Sequence, residues 1–378
     1  MAETTPATAP SFFDGEVLMR LIATAMVTLS RQRAVPNPVY PAKVQNAYNH
    51  LVLRCLEREV DPPGSVAEMI SWASELPLER WPVSLPEELL GGDGLLVDKE
   101  TRTPTQTCLE WEVNAADPAA ELFENDRLLD AIAVCRAAQA PDAYTAFRRH
   151  LTTRPVLMGA ELAELGGDLE FGLLLHAILK RCYETAPASY QRNGVYMQCE
   201  RCRCLMVPTS RGGFRCELDR CRRDGKTSRG TPLRGNKGGV LQLSRPLRMF
   251  ITSPGLAETD LEQALISKFG IKPQMWPNYD AYDLRLVLPN GQAWAVDVKD
   301  RVNPVLLART TKPFRTDPPF DRAFLVVPRY RFAENDAYGR IFARHLPEAI
   351  SDQITLLDDQ AFLKLVSSAR NRPGGWRA

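Results

Sequence analysis

The sequence predicts an α+β multidomain protein with a mostly helical N-terminal half, a cysteine-rich module and a C-terminal region of strands and helices. Three observations predict this architecture. Apolar residues recur at helical spacing through residues 11–191, two cysteine pairs lie within residues 192–240, and alternating strands flank a Pro-Asn-Gly turn within residues 250–378. A chain of 378 residues has room for roughly two or three domains. The Thr-, Ala- and Pro-rich residues 1–10 are expected to be disordered.

The N-terminal half is expected to consist mainly of helices, because its apolar residues repeat every three to four positions. The predicted helices are Phe13–Arg33, Ala42–Val60, Val66–Leu76, Ala116–Ala138, Ala143–Leu151 and Glu161–Glu184. Ser65 followed by Glu68 has the spacing of a capping box at one helix start. Thr107–Val113 is expected to form a strand. We expect no catalytic group of residues in this half.

The sequence favours a cytoplasmic protein. The most apolar early stretch, Val17–Leu29, contains Arg20 and is shorter than the roughly 20 residues that a membrane span needs. Residues 1–6 lack the basic region of a secretion signal. The nine cysteines are an odd number, which indicates a reducing compartment rather than a disulfide framework.

Charge is unevenly distributed along the chain. Residues 192–248 hold 14 Lys and Arg against 4 Asp and Glu, whereas residues 1–191 hold 16 against 27. A concentrated positive field in a nearly neutral protein attracts a polyanion, and nucleic acid is the commonest one. The alternative is that the basic segment docks on the acidic half of the same chain.

Within the basic segment, Cys199 and Cys202 are separated by two residues, and Cys216 and Cys221 by four. An apolar run, a turn and an apolar return lie between the pairs, which is typical of a zinc ribbon. Four thiolates close a tetrahedral site, so we expect one structural Zn2+ per chain. We expect Cys204 not to be a ligand. The alternative is four buried or redox-active thiols.

Basic side chains surround these cysteines. Arginine offers planar bidentate donors to phosphate, so the ribbon is expected to bind a nucleic-acid backbone. These contacts do not distinguish DNA from RNA, although the chain as a whole is expected to act on DNA. Few aromatic residues interleave, which disfavours base stacking. The expected nucleic-acid contacts are Arg211, Arg215, Arg220, Arg222, Arg223 and Lys226.

The C-terminal region contains two alternating strands joined by Pro289-Asn290-Gly291. A three-residue loop of this kind ends in a left-handed residue, for which glycine is favoured. That loop places Asp283 directly opposite Asp297 on one face, with their Cβ atoms about 5 Å apart. A two-residue loop would instead pair Leu284 with Asp297 and turn Asp283 to the other face.

In the preferred register, Lys299 lies on the same face as both aspartates. Two carboxylates at this distance repel each other by a few kcal/mol at an effective dielectric of about 20. A bound divalent cation would remove that cost, and oxygen ligands suit Mg2+ or Mn2+. Lys299 would then stabilise developing negative charge or help to activate a water. The alternative is that Asp297 and Lys299 are a solvated surface pair.

These residues resemble the PD-(D/E)xK restriction-endonuclease-like superfamily over about residues 250–360. The resemblance implies an αβββαβ core and Mg2+-dependent phosphodiester hydrolysis. Asp283 and Asp297 would bind the metal, Lys299 would be catalytic, and Glu262 would complete the acidic site. Glu262 has an alternative role, because Thr259-x-x-Glu262 also has capping-box spacing. No proline directly precedes Asp283, which departs from the family pattern. The remaining core elements would be strand Ala323–Val327, helix Glu334–His345 and strand Gln353–Leu357.

The combination of helical half, ribbon and nuclease core also resembles the restriction-endonuclease-like proteins of prokaryotic Piwi-with-RE-motif three-gene islands. This resemblance implies a role in bacterial defence against phage or plasmids, with a Piwi-like protein and a helicase as partners. The alternative function is a catalytically inactive nuclease fold that binds nucleic acid or a defence partner.

Overall fold

The computed structural model describes residues 15–31, 40–90, 94–113, 118–165, 172–223, 229–235 and 239–370. The segment predicted to be disordered, residues 1–10, lies outside this set. No helix within the described residues has both the length and the apolar character needed to span a membrane. The chain divides into unit 1, residues 1–117 and 302–310, and unit 2, residues 118–301 and 311–378.

The first part of unit 1 is helical. It contains α1 (Gly15–Arg31), α2 (Ala42–Glu57), α3 (Val66–Glu75) and α4 (Gln106–Val113). Ser65 caps α3 as predicted, because its hydroxyl accepts a hydrogen bond from the Glu68 amide at 3.2 Å. The strand predicted over Thr107–Val113 is wrong. The Thr105 hydroxyl accepts a hydrogen bond from the Cys108 amide and so starts α4, a capping signal that outweighs the strand-like composition.

The first part of unit 2 mixes helices with short strands. The elements are α5 (Pro118–Ala137), α6 (Pro141–Thr153), β1 (Val156–Met158), α7 (Gly159–Glu164), α8 (Gly172–Cys182), β2 (Tyr183–Thr185), β3 (Tyr196–Cys199), β4 (Val207–Pro208), β5 (Phe214–Arg215), β6 (Gly230–Leu233), β7 (Val240–Leu243) and α9 (Arg245–Leu247). The single helix predicted over Glu161–Glu184 is wrong. Residues Tyr183–Thr185 pair instead with β7, a partner distant in sequence that helical periodicity does not reveal.

The C-terminal part of unit 2 is a mixed five-stranded sheet with helices. Its elements are α10 (Ser253–Phe269), β8 (Gln274–Met275), α11 (Pro277–Asp280), β9 (Leu284–Val287), β10 (Ala293–Val298), β11 (Arg322–Val327), α13 (Arg329–Glu334), α14 (Tyr338–His345), α15 (Glu348–Ser351), β12 (Ile354–Asp358) and α16 (Asp359–Arg370), with α12 (Pro304–Thr310) between β10 and β11 in the chain. The strand order is β12-β11-β10-β9-β8. Strands β8, β9 and β10 are antiparallel, and β10, β11 and β12 are parallel.

One face of this sheet packs into the apolar core. Val298 of β10 and Phe324 of β11 belong to the same buried cluster as Leu261 of α10 and Phe362 of α16. Side chains alternate across a strand, so Asp297 lies on the opposite face. The core therefore holds β10 in place from one side, and the Asp297 side chain lies outside the core on the other side.

Residues Val302–Thr310, which contain α12, belong to unit 1 although they lie between β10 and β11 in the chain. The buried Glu110 carboxylate accepts hydrogen bonds from the backbone amides of Val302 at 2.7 Å and Asn303 at 2.9 Å. The Asn303 side-chain amide donates to the Leu89 carbonyl at 3.1 Å. The connection from β10 to β11 therefore includes residues of unit 1.

Candidate active site and cysteine centre

The two cysteine pairs come together as their spacing predicts. The Sγ atoms of Cys199, Cys202, Cys216 and Cys221 all lie within 4.8 Å of one another, and all four residues are buried. Strands β4 and β5 form the expected hairpin between the pairs. A tetrahedral zinc with bonds of about 2.3 Å needs sulfur atoms about 3.8 Å apart. The cluster therefore has the donor set and the dimensions of a structural zinc site.

Cys204 is buried nearby, but its sulfur is not part of the group of four. Arg203 adopts a left-handed backbone conformation with φ 60°, and the Cys204 carbonyl accepts a hydrogen bond from the Cys199 amide at 2.8 Å. Cys204 thus closes the first knuckle through its backbone. Hydrogen bonds with neighbouring thiols, that of Cys202 first, lower the pKa of Cys199, whereas the hydrogen bond with Cys199 raises the pKa of Cys202 and Cys216. The thiolate within this group is therefore favoured at Cys199.

The loop between β9 and β10 has the three-residue form. The Leu288 amide donates to the Gln292 carbonyl at 2.9 Å, which closes the loop across these two residues. Gly291 is the third loop residue and has φ 84°, in the left-handed region that favours glycine. The predicted turn is confirmed.

This turn determines which acidic residues face each other. The ladder pairs Leu284 with Val296, so the next opposed pair is Asp283 and Asp297. The alternative register, which pairs Leu284 with Asp297, does not occur. The prediction that both carboxylates share one face of the hairpin is confirmed.

The regular ladder ends where Asp283 begins. Hydrogen-bonded pairs alternate along an antiparallel ladder, so the next bond would join the Val298 amide to the Tyr282 carbonyl. The Val298 amide donates instead to Asp283 Oδ2 at 2.7 Å. The Asp283 side chain is therefore held rigidly and is only 7% exposed, whereas that of Asp297 is 24% exposed.

Lys299 joins the two aspartates. Its Nζ lies 3.3 Å from Asp283 Oδ2 and 3.1 Å from Asp297 Oδ2, so both carboxylates already converge on one positive charge. Burial disfavours the Lys299 ammonium, but the two carboxylates outweigh this effect and raise the pKa of Lys299. Burial raises the pKa of Asp283, and the charge of Glu258 raises it further.

The acidic residue that α10 brings to this cluster is Glu258, which was not predicted from the sequence. Glu258 is buried, and its Oε2 accepts a hydrogen bond from Nε1 of Trp276, whose backbone amide donates to the Asp283 carbonyl at 2.8 Å. The structure places the predicted residue, Glu262, in a bidentate pair with Arg149, with both N–O distances at 2.8 Å. Glu262 follows Glu258 by one helical turn. A prediction that began this helix one turn earlier would have included Glu258 as a candidate.

The alternative role of Glu262 as a helix cap is wrong. Helix α10 begins at Ser253, well before Thr259. The Thr259 hydroxyl donates to the Gly255 carbonyl inside the helix and caps nothing. The sequence signal that could have revealed the earlier start is Pro254, because proline is favoured in the first turn of a helix.

Helix α6 supplies a buried arginine beside the acids, although no catalytic group of residues was expected in this half of the chain. Arg148 lies 3.6 Å from Glu258 and 3.7 Å from Asp280, and its side chain is 6% exposed. Its guanidinium also lies over the Trp276 ring, whose Nε1 donates to Glu258 Oε2 at 2.5 Å. Arg148 therefore offsets part of the negative charge that accumulates around Asp283.

The short element α11, which ends at Asp280, is not a regular right-handed helix. Trp276, Asn278, Tyr279 and Asp280 all have positive φ between 43° and 69°. Each non-glycine residue in this region costs about 1 kcal/mol or more, so the turn depends on its contacts. Tyr144 provides one of them, because its hydroxyl donates to Asp280 Oδ2 at 2.8 Å. Strained backbone thus adjoins the acidic cluster.

The predicted nucleic-acid contacts divide into two groups. Arg220 pairs with Asp260 of α10 at 2.6 Å, and Arg223 donates to Asp219 at 2.9 Å and also pairs with Glu334. For these two arginines, the basic segment docks on acids of unit 2 itself. The side chain of Arg211 is exposed, those of Arg215 and Arg222 are partly exposed, and Lys226 lies outside the described residues.

Comparison with protein-family models gives two matches. Residues 18–158 match the model described as pPIWI_RE three-gene island domain Y, and residues 255–373 match that of the REase associating with pPIWI_RE. The second match contains Glu258, Asp283 and Lys299. Neither a curated protein nor a solved structure matches the chain. The two matches confirm the predicted resemblance to the restriction-endonuclease-like proteins of these islands.

Proposed function

Because the chain joins a pPIWI_RE three-gene island domain Y to an REase associating with pPIWI_RE, we propose that it is a Mg2+-dependent endonuclease that hydrolyses phosphodiester bonds of DNA. One observation carries this proposal. Asp283, Asp297 and Lys299 converge on one face of a hairpin, with both carboxylates within 3.3 Å of the lysine Nζ. Two oxygen donors beside a cation suit metal-assisted attack on a phosphate.

Asp283 and Asp297 would hold the Mg2+ ion, since carboxylate oxygens are its preferred protein ligands. When bound, the ion would polarise a phosphate oxygen and lower the pKa of a water molecule. Lys299 would stabilise the negative charge that develops on the phosphate. Glu258, rather than Glu262, would be the helix acid of this site, because Trp276 donates hydrogen bonds to both the Glu258 carboxylate and the Asp283 carbonyl.

The ribbon would hold one structural Zn2+ and contribute to DNA binding. Its four thiolates leave no open coordination position, so the metal would stabilise the fold and take no part in hydrolysis. Arg211 is exposed at the tip of the β4–β5 hairpin and is the best placed of the predicted contacts to reach a phosphate. Such contacts bind DNA without reading its sequence.

The proposed setting is bacterial defence against phage or plasmids in the cytoplasm. The names of both matched models connect the chain to pPIWI_RE islands, which supports a Piwi-like partner. A helicase of the same system would be a second partner. Nuclease activity directed by such partners would confine cleavage to foreign DNA.

Cleavage of supercoiled plasmid by the full-length protein tests the function. We expect nicked and linear products with Mg2+, none with EDTA, and recovery when Mg2+ is restored. Lys299→Ala and Asp297→Ala should each lower the rate by about a hundredfold to a thousandfold, because each removes a charge from the reacting centre. Lys268→Ala, an exposed lysine of α10, is the matched control and should cut like wild type.

Equal cutting by wild type, Lys299→Ala and Asp297→Ala would show that the reaction occurs elsewhere. If the wild type binds DNA with salt-sensitive affinity but never cleaves it, the chain is instead a nucleic-acid-binding module with an inactive nuclease core.

A further inference from the structure

The residues that follow β10 are held by side chains. Asp300, directly after Lys299, accepts a hydrogen bond from Arg331 Nε at 2.6 Å and another from the Tyr330 hydroxyl. The Arg301 carbonyl accepts a bond from Tyr338 at 2.9 Å. Arg331 and Tyr330 both belong to α13, so this helix determines the position of the chain next to the lysine.

Arg331 also reaches the cysteine ribbon, which we define as residues 196–223 and 229–233. Its Nη2 lies 3.2 Å from Oδ2 of Asp219. Asp219 belongs to the short 3-10 turn Asp219–Cys221, which ends at one of the four clustered cysteines. The Arg331 side chain is 1% exposed and that of Asp300 is 7% exposed, so this chain of contacts is shielded from water.

We propose that the ribbon positions the proposed catalytic lysine through the bridge Asp219–Arg331–Asp300, in which Arg331 is a positioning residue. The inference rests on the proposed function, in which Lys299 acts on the phosphate. This bridge would give the ribbon a second role, because the turn Asp219–Cys221 would help to hold the residues next to Lys299 in place. Cleavage then depends on the contact between Asp219 of the ribbon and Arg331, in addition to any contacts that the ribbon makes with DNA.

The physical basis is the fork of the guanidinium group. Arg331 places Nε on Asp300 and Nη2 on Asp219, so two nitrogens held in one rigid plane contact two different acids. A lysine carries its three donors on a single nitrogen and cannot reproduce this pair of separated contacts. Asp300 is bonded covalently to Lys299, so a shift of Arg331 is passed directly to the lysine.

Two variants test the bridge in the full-length protein. Asp219→Asn removes the charge on the ribbon side, and Arg331→Lys retains the charge but loses the fork. We expect each to lower the single-turnover cleavage rate by about tenfold or more, the effect of losing one charge-assisted hydrogen bond, with the dissociation constant for DNA and the zinc content unchanged. Asp260→Asn is the matched control, because it weakens a different contact of the ribbon, that between Asp260 and Arg220, and should leave the cleavage rate within twofold of wild type.

Hydrogen exchange provides a readout that does not depend on cleavage. The Lys299 amide donates to the Val326 carbonyl at 2.9 Å, and we expect the amides of residues 299–301 to exchange about tenfold faster in Asp219→Asn, with β9 unchanged. Unchanged exchange in both bridge variants would overturn the inference. If wild type does not cleave DNA yet the variants speed up exchange, the proposed function fails and the positioning role stands.

Discussion

The cysteine centre takes all four of its sulfur atoms from residues 199–221, a single short stretch of chain, whereas the acidic site combines a helix, two strands and an arginine from another helix. In the first region, spacing alone brings the cysteines together. In the second, a turn brings together the aspartates, but helix phase decides which glutamate joins them. The four-cysteine group is therefore a local site, and the acidic group is a site assembled from distant segments. We expect the two sites to respond differently to substitution.

The largest effect is expected in the local site. Cys216→Ser should abolish zinc binding and unfold the ribbon, because structural zinc can supply on the order of 10 kcal/mol of folding free energy. Zinc content measured by elemental analysis should fall from one per chain to none. Cys204→Ser is the control and should retain one zinc. Full zinc content in Cys216→Ser would overturn the ligand assignment.

Next in size is the loss of the buried arginine from the assembled site. Arg148→Met leaves Glu258 and Asp280 without their buried counter-charge, which should lower the free energy of unfolding by about 3–5 kcal/mol. Denaturant titration measures this. Arg154→Met breaks the exposed pair with Glu161 and should cost about 0–1 kcal/mol. Equal losses in the two variants would mean that Arg148 does not balance the acids.

The choice of helix acid gives an intermediate effect on activity. Glu258→Gln should lower the Mg2+-dependent cleavage rate by about tenfold to a hundredfold, as expected for a group that orients a metal site. Glu262→Gln should lower it less, because Glu262 is bonded to Arg149. Rates measured across a Mg2+ titration separate weaker metal binding from slower chemistry. A larger loss in Glu262→Gln would restore the original prediction.

The smallest effect concerns the turn that aligns the aspartates. Gly291→Ala should cost about 1 kcal/mol, because alanine is disfavoured at a left-handed φ of 84°. No atom lies within 4 Å of an added Cβ, so the loss would come from the backbone alone. At Gly213, in the ribbon hairpin, an added Cβ would lie 3.6 Å from Thr209 Oγ1, an ordinary contact distance, and φ is not left-handed, so Gly213→Ala should be closer to neutral in thermal unfolding. Equal melting temperatures would argue against the loop conformation.

Much of the assembled site could be predicted because a hairpin register is a local property. The turn Pro289-Asn290-Gly291 and strict alternation were enough to oppose Asp283 and Asp297. Glu262 was wrongly predicted to join the acids, because Thr259 and Glu262 have the spacing of a helix start although α10 begins earlier. Arg148 could not be predicted, since nothing in its own helix indicates that it packs against Glu258.

The fold shows the same division. Helices in the N-terminal half follow from apolar periodicity and from a cap such as Ser65. The two wrong elements, Thr107–Val113 and the end of Glu161–Glu184, lie where a competing interaction decided the structure. In one case this was the cap at Thr105, and in the other the pairing of Tyr183–Thr185 with β7.

By itself, the amino-acid order determined the four-cysteine group, the hairpin register and the shared face of Asp283, Asp297 and Lys299. These features depend on residues a few positions apart, whose geometry the backbone constrains. Only the tertiary structure decided that Glu258 joins the acids, that Arg148 balances them and that Arg331 connects the ribbon to Asp300. Such contacts arise from packing between distant segments, where burial makes each unpaired charge costly and so selects its partner.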